Sequence, residues 1–179
     1  MRKSHLSLLI LILIAISFLW KSELQAQSTN SLQTPAAFYG YEPGSDRNLF
    51  DYDVLISYLK KADAVSDKMK MIEIGKSPMG KTMYLAFVSS AENIANLEHL
   101  KHINKELALN PNLSESQRNE YFDEGKAFLL ATLSMHSGEV GPAQAAPLIV
   151  YELLTTVDTQ ILNQLNDVMF MFVDRKSVV

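Results

Sequence analysis

Lys126-Ala-Phe-Leu-Leu-Ala-Thr-Leu-Ser-Met-His-Ser-Gly-Glu-Val-Gly-Pro-Ala-Gln-Ala-Ala-Pro-Leu-Ile-Val-Tyr-Glu-Leu-Leu154 decides how this chain is to be read. Its opening run, Ala127 to Leu133, is apolar and of a length that suits a buried strand. His136 and Glu139 follow directly on the end of that run. Gly141-Pro142 then begins a new element, and Ala143 to Leu154 reads as a helix. Proline is favoured in a first helical turn, where its missing N–H has no intrahelical partner to serve. His136 and Glu139 are thereby placed on a short strand-to-helix connection at the C-terminal end of a strand. Ligands of α/β sheets bind at that end.

The donor chemistry of the pair suits a metal. Imidazole nitrogen and carboxylate oxygen both bind zinc, and a catalytic zinc commonly takes three protein ligands plus water. The small residues Ser137 and Gly138 permit a sharp bend that turns both side chains toward one point. The spacing H-x-x-E also fits a loop histidine followed by a solvated glutamate, and spacing alone does not separate the two.

A second stretch adds context. Ile74-Gly-Lys-Ser-Pro-Met-Gly-Lys-Thr-Met-Tyr-Leu-Ala-Phe-Val88 reads as a turn of the form IG-x-S-x-x-G-K followed by a strand. Together with His136-Ser-Gly-Glu-Val-Gly141, it resembles the zinc carboxypeptidase family of carboxypeptidase A type, in its large secreted bacterial branch. The resemblance runs from about Tyr52 to Val173. It implies zinc-dependent hydrolysis of peptide bonds, with Zn2+ as cofactor and a peptide or protein as substrate. It implies His136 and Glu139 as two of the three zinc ligands. The family's third ligand, its general-base glutamate and its substrate-binding arginine and tyrosine match no position between Met1 and Val179, so no catalytic residue carries over. Where the family continues with a P-x-x-N-P-D-G-like segment, this sequence reads Val173-Asp-Arg-Lys-Ser-Val-Val179. The expectation is therefore an N-terminal fragment, weak in zinc binding, inactive by itself, and with a sheet edge and an apolar face left open. A non-catalytic relative that binds peptide or cell wall is the alternative. An exported structural domain with a fortuitous H-x-x-E is a third reading.

The rest of the sequence bounds these readings. Its 179 residues are 47% hydrophobic and 20% charged, enough for one core. The net charge of −4 gives no footprint for nucleic acid. The absence of cysteine excludes disulfides, thiolate zinc sites and cysteine nucleophiles.

Residues 1–26 have the layout of a secretory signal peptide. Arg2 and Lys3 precede an apolar run from Leu6 to Trp20, and Ala26 offers a cleavage point. That run falls short of the roughly 20 residues that span a bilayer. Secretion or periplasmic export follows, with membrane contact only through this segment. Residues 27–45 read as a flexible leader, polar as far as Pro35. The exposed aromatics of Phe38 to Asp46 fit either a loop across the domain or the entrance of a site. Residues 46–173 form the domain, and 174–179 an atypical tail.

Within the domain, Leu49 to Ala64 predicts a helix with Phe50, Val54, Leu55 and Tyr58 inward and Asp51 and Asp53 solvated. Met69 to Ile74 and Thr82 to Ser89 predict a hairpin, with Gly75 to Gly80 as its loop. That loop lacks the spacing of a phosphate cradle. Asn93 to Leu109 predicts one helix. His99 and His102 lie on it as a second possible metal pair, read as solvated because no carboxylate completes a site. Ser114 and Gln117 signal a capping box, with Tyr121 and Phe122 as the contacts of the helix that follows. Gln160 to Asn166 and Val168 to Val173 predict a last helix and strand. The fold class expected is α/β, a partial mixed or parallel sheet flanked by helices, as the N-terminal half of a zinc-carboxypeptidase-like fold.

Overall fold

A computed structural model of the chain describes residues 31–134, 136 and 138–173. Residues 33–179 form one compact unit and 1–32 another. All elements below belong to the first. The expected signal segment, the start of the leader and the tail 174–179 lie outside the described residues.

Seven helices and four strands are seen among the described residues. In chain order they are α1 (Pro35–Tyr39), α2 (Tyr52–Val65), β1 (Met69–Lys76), β2 (Thr82–Val88), α3 (Ala91–Ala95), α4 (Leu97–Leu109), α5 (Glu115–Glu124), β3 (Ala127–Thr132), α6 (Gly141–Thr155), α7 (Thr159–Asp167) and β4 (Val168–Val173). The strands form one mixed sheet in the order β1-β2-β4-β3. β1 and β2 are antiparallel, as are β2 and β4, while β3 and β4 run parallel. The class is therefore mixed α/β with a four-stranded sheet flanked by helices.

The β1–β2 hairpin forms where the sequence places it. Glu73 pairs with Tyr84 and Gly75 with Met83, so Ile74 is an extra residue in a bulge. Gly75 takes φ 124° there, and Gly80 takes φ 77° in the turn. Both lie in the left-handed half of the map that glycine enters without a Cβ penalty. The buried Ser77 closes the loop, its N–H donating to the Lys81 carbonyl at 2.8 Å.

Side chains alternate across the sheet and are covered from both sides. On one face Phe87 and Met169 pack with Leu97 and Leu100 of α4. Toward the other, Leu55, Tyr58, Leu59 and Ala62 of α2 and Ala146, Val150 and Leu154 of α6 are buried. Those two helices contact each other and reach β1 and β2 respectively. Leu55 and Tyr58 thus face inward on α2 as expected, and the other two expected residues do not. Phe50 precedes the helix, which begins at Tyr52 with Asp51 as its N-cap, and Val54 lies outside the buried stripe of Leu55, Tyr58, Leu59 and Ala62. Asp51 accepts the Val54 N–H at 3.0 Å, so it is a capping group, and Asp53 pairs with Lys81.

Two further expectations are corrected. The leader is not featureless up to residue 45. Thr34 caps α1, and Phe38 and Tyr39 are half-buried against Tyr58, with ring centroids 5.2 and 5.7 Å away. Tyr39 also stacks on Phe50 at 4.5 Å. The single helix expected over 93–109 is two, because Asn96 leaves helical geometry at φ −97°, ψ 14°. Asparagine competes for backbone hydrogen bonds and favours helix ends. The capping box at Ser114 and Gln117 is present, yet Phe122 of that helix is exposed.

β3 departs most from its reading. Its apolar run predicts a buried strand, but it lies at the edge of the sheet. Leu129 and Leu130 point to opposite faces, and each is 53% exposed. Phe128 still packs against the Leu97 and Leu100 cluster, so it is at Leu129 and Leu130 that the two faces are open. The open edge and apolar surface do agree with the sequence. Such an edge is a template for pairing with another chain. Leu129→Lys is expected to reduce self-association at raised concentration, as read by sedimentation velocity. Unchanged association would show that this edge is not the sticky surface.

Candidate metal site at the end of strand β3

The connection from β3 to α6 begins at the open ends of two parallel strands. The Leu133 N–H donates to the Val173 carbonyl at 2.9 Å, so β4 ends beside the start of the loop. Leu133 and Ser134 are buried, and His136, Gly138 and Glu139 are exposed. The chain thus rises out of the sheet and presents its imidazole and carboxylate to solvent.

Hydrogen bonds close this turn. The His136 carbonyl accepts the Ser134 hydroxyl at 2.8 Å and the Glu139 N–H at 3.1 Å. In return, Glu139 Oε2 accepts the His136 N–H at 3.3 Å. Val140 N–H donates to the Gly138 carbonyl at 3.1 Å, and Gln144 N–H to the Val140 carbonyl at 3.0 Å as α6 begins. Pro142 occupies the first turn of α6. His136 and Glu139 are therefore brought onto one tight turn at the C-terminal end of β3, where the sequence puts them.

Nothing lies within 4 Å of where a Cβ on Gly138 would stand. Ser137, the other half of the small pair expected to permit the bend, lies outside the described residues. The closing group is Ser134, which the sequence reading passes over. A serine two residues before the histidine is a signal for local side-chain to backbone bonding.

The donor set fits a metal in part. A carboxylate offers two oxygens with about four lone-pair sites, so one bond to a main-chain N–H leaves capacity for a cation. Among the described residues no group of three His, Cys, Asp or Glu side chains is gathered that could hold a metal ion. His136 and Glu139 thus stand as a pair.

α6 is anchored on its buried side by a second group unforeseen in sequence. Gln144 Nε2 donates to the Phe50 carbonyl at 2.9 Å, and its Oε1 accepts the Phe50 N–H at 3.4 Å. The amide grips both backbone polar groups of Phe50 and holds the approach to α2 against the helix that follows the candidate ligands.

The other candidate pair is separated by its partners. His99 Nε2 lies 3.1 Å from Glu124 Oε2, linking α4 to α5, with both side chains more than half exposed. A carboxylate is thus present where none was expected, in an exposed side-chain contact worth little in stability. His102 meets the edge of Tyr121, with ring centroids 6.4 Å apart. No family model matches the chain, and no curated protein matches it.

Proposed function

We propose that this chain carries part of the zinc site of a metallocarboxypeptidase-like peptide hydrolase, with His136 and Glu139 as two of three zinc ligands. The observation that carries the reading is the reciprocal turn that sets both residues, solvent-facing, at the C-terminal end of a parallel strand. In this proposal the sheet is the N-terminal portion of a carboxypeptidase-like fold. The open, two-faced apolar edge of β3 supports it, since such a strand is suited to a further neighbour. Export through the segment 1–26 and a peptide substrate complete the reading.

Zinc, when bound, acidifies a water and polarises a peptide carbonyl. The work of this chain's residues is to hold that ion in place. His136 supplies a ring nitrogen and Glu139 a carboxylate oxygen. Ser134 acts as a positioning residue, since its hydroxyl fixes the His136 carbonyl and with it the backbone that carries the imidazole. The third ligand and the general base have to come from outside the described residues.

Competition against a chromophoric chelator tests this assignment. The protein is expected to take up one zinc weakly. His136→Ala and Glu139→Ala should each lower the affinity at least about tenfold, since loss of even an outer-shell partner costs roughly 10–100-fold. Ser134→Ala should have a smaller effect in the same direction. Equal zinc affinity in wild type and His136→Ala would end the metal reading.

A further inference from the structure

Helix α4 stands away from the sheet where β3 begins, and a groove of about 660 Å³ opens between them. Phe87, Phe128 and Met171, one from each of three neighbouring strands, form its apolar floor. Glu98, Lys101, His102, Asn104 and Lys105 of α4 form its polar rim. The volume falls within the roughly 300–1,000 Å³ usual for small-molecule sites, which are likewise apolar with a few placed polar groups.

The charges on the rim are not equivalent. Lys101 Nζ donates to both carboxylate oxygens of Glu98, at 2.8 and 3.0 Å, so that pair is neutral. Lys105 is exposed and has no ion-pair partner among the described residues. One uncompensated cation thus overlooks an apolar floor, in a chain whose net charge is −4.

We propose that this groove binds a monocarboxylate with an unbranched apolar tail, a fatty-acid-like amphiphile. The carboxylate lies on Lys105 and the tail on Phe87, Phe128 and Met171. The inference is independent of the zinc reading. Groove and H-x-x-E turn share no residue, and the site needs no metal.

Titration calorimetry on the full chain, with submicellar laurate as the probe, tests it. Laurate should bind once per chain, and dodecanol several-fold more weakly. Affinity should rise by up to about fourfold per methylene from octanoate to laurate, the limit set by full burial of each group. Lys105→Ala should weaken laurate about three- to fivefold, the scale of an exposed ion pair. Lys105→Arg should restore it. Lys105 is solvent-facing, so the alanine variant keeps the fold, and its thermal unfolding checks this. Equal binding of laurate and dodecanol, indifference to Lys105→Ala, or no dependence on tail length would each overturn the proposal. So would a dimer that closes the groove to laurate, since the occupant would then be a second copy.

Discussion

Replacing Tyr58 with alanine is expected to destabilise the fold by about 3–5 kcal/mol, the range for removing a large buried aromatic ring. Tyr58 is fully buried in the middle of α2, between the sheet side and the N-terminal segment. Phe38 meets it edge-on at 5.2 Å and Tyr39 lies at 5.7 Å, so its loss leaves a hole that two half-buried rings line. Its hydroxyl donates to the Gln33 carbonyl at 3.0 Å and ties down the chain ahead of α1. Tyr58→Phe keeps the ring and removes only that bond, a loss of about 1 kcal/mol. Urea denaturation of the three proteins measures both numbers. A Tyr58→Ala variant within 1 kcal/mol of wild type would mean that α1 and its rings are not packed on α2 as described. Burial pushes the Tyr58 phenol far above its ordinary value of 10.0, with the neighbouring Tyr151 adding to the shift. The folded pKa is raised, so this contribution to stability is fully present below about pH 10 and falls as pH rises through the alkaline range. Absorbance of the Tyr58 phenolate should therefore appear only as the protein unfolds in alkali.

Where a signal is local, the sequence carries it. Turn glycines at 75 and 80, the capping box at Ser114 and Gln117, Pro142 in a first turn and the runs of β2 and β4 each place an element without reference to the rest of the chain. Position within the fold is a different matter. Ala127 to Leu133 is as apolar as any strand here, yet burial depends on what stands beside it, and the run reads the same at an edge as at a centre. On α2, Leu55 and Tyr58 face inward as the periodicity predicts, but the buried stripe continues through Leu59 and Ala62 and leaves Val54 outside it. At the candidate site the same division holds. H-x-x-E after a strand locates the turn, since it depends on order along the chain. Ser134 and the return bond from His136 to Glu139 depend on how the turn closes, and no spacing rule announces them. Glu124 beside His99 belongs to a different helix, 25 positions along the chain, so helical periodicity could not bring the two together.

The second large effect is expected at Asn93, a polar residue the sequence offers only as the first residue of a helix. It is buried, and its Nδ2 lies 2.9 Å from Ser89 Oγ, 3.1 Å from the Leu165 carbonyl and 2.9 Å from the Asn166 carbonyl. Ser89, also buried, approaches the Leu165 and Val168 carbonyls at 2.7 and 2.8 Å. Leu165 and Asn166 form the end of α7, whose last carbonyls have no intrahelical donor. The two side chains, together with the Ser90 N–H on the Leu165 carbonyl at 3.0 Å, supply those donors and seal the junction at which α7 turns into β4, the strand that holds both β2 and β3. Asn93→Ala removes the side-chain donor of the Asn166 carbonyl, while Leu165 keeps the Ser90 N–H at 3.0 Å, and should cost about 2–4 kcal/mol, up to two net hydrogen bonds plus desolvation. Asn93→Asp is the sharper test. Every neighbour of that nitrogen in the network is an oxygen, and a carboxylate brings no N–H to them. Burial among acceptors raises a carboxyl's pKa above its unfolded value of about 3.9. A raised folded pKa gives stability that is present below the unfolded value and lost as pH rises through the folded one. The aspartate variant should therefore be nearer to wild type at pH 3–4 than at pH 7, when both are compared by urea unfolding at each pH. If it equals wild type at pH 7, the amide is not the donor that closes α7. The junction would then be held by Ser89 and by the Ser90 N–H on the Leu165 carbonyl.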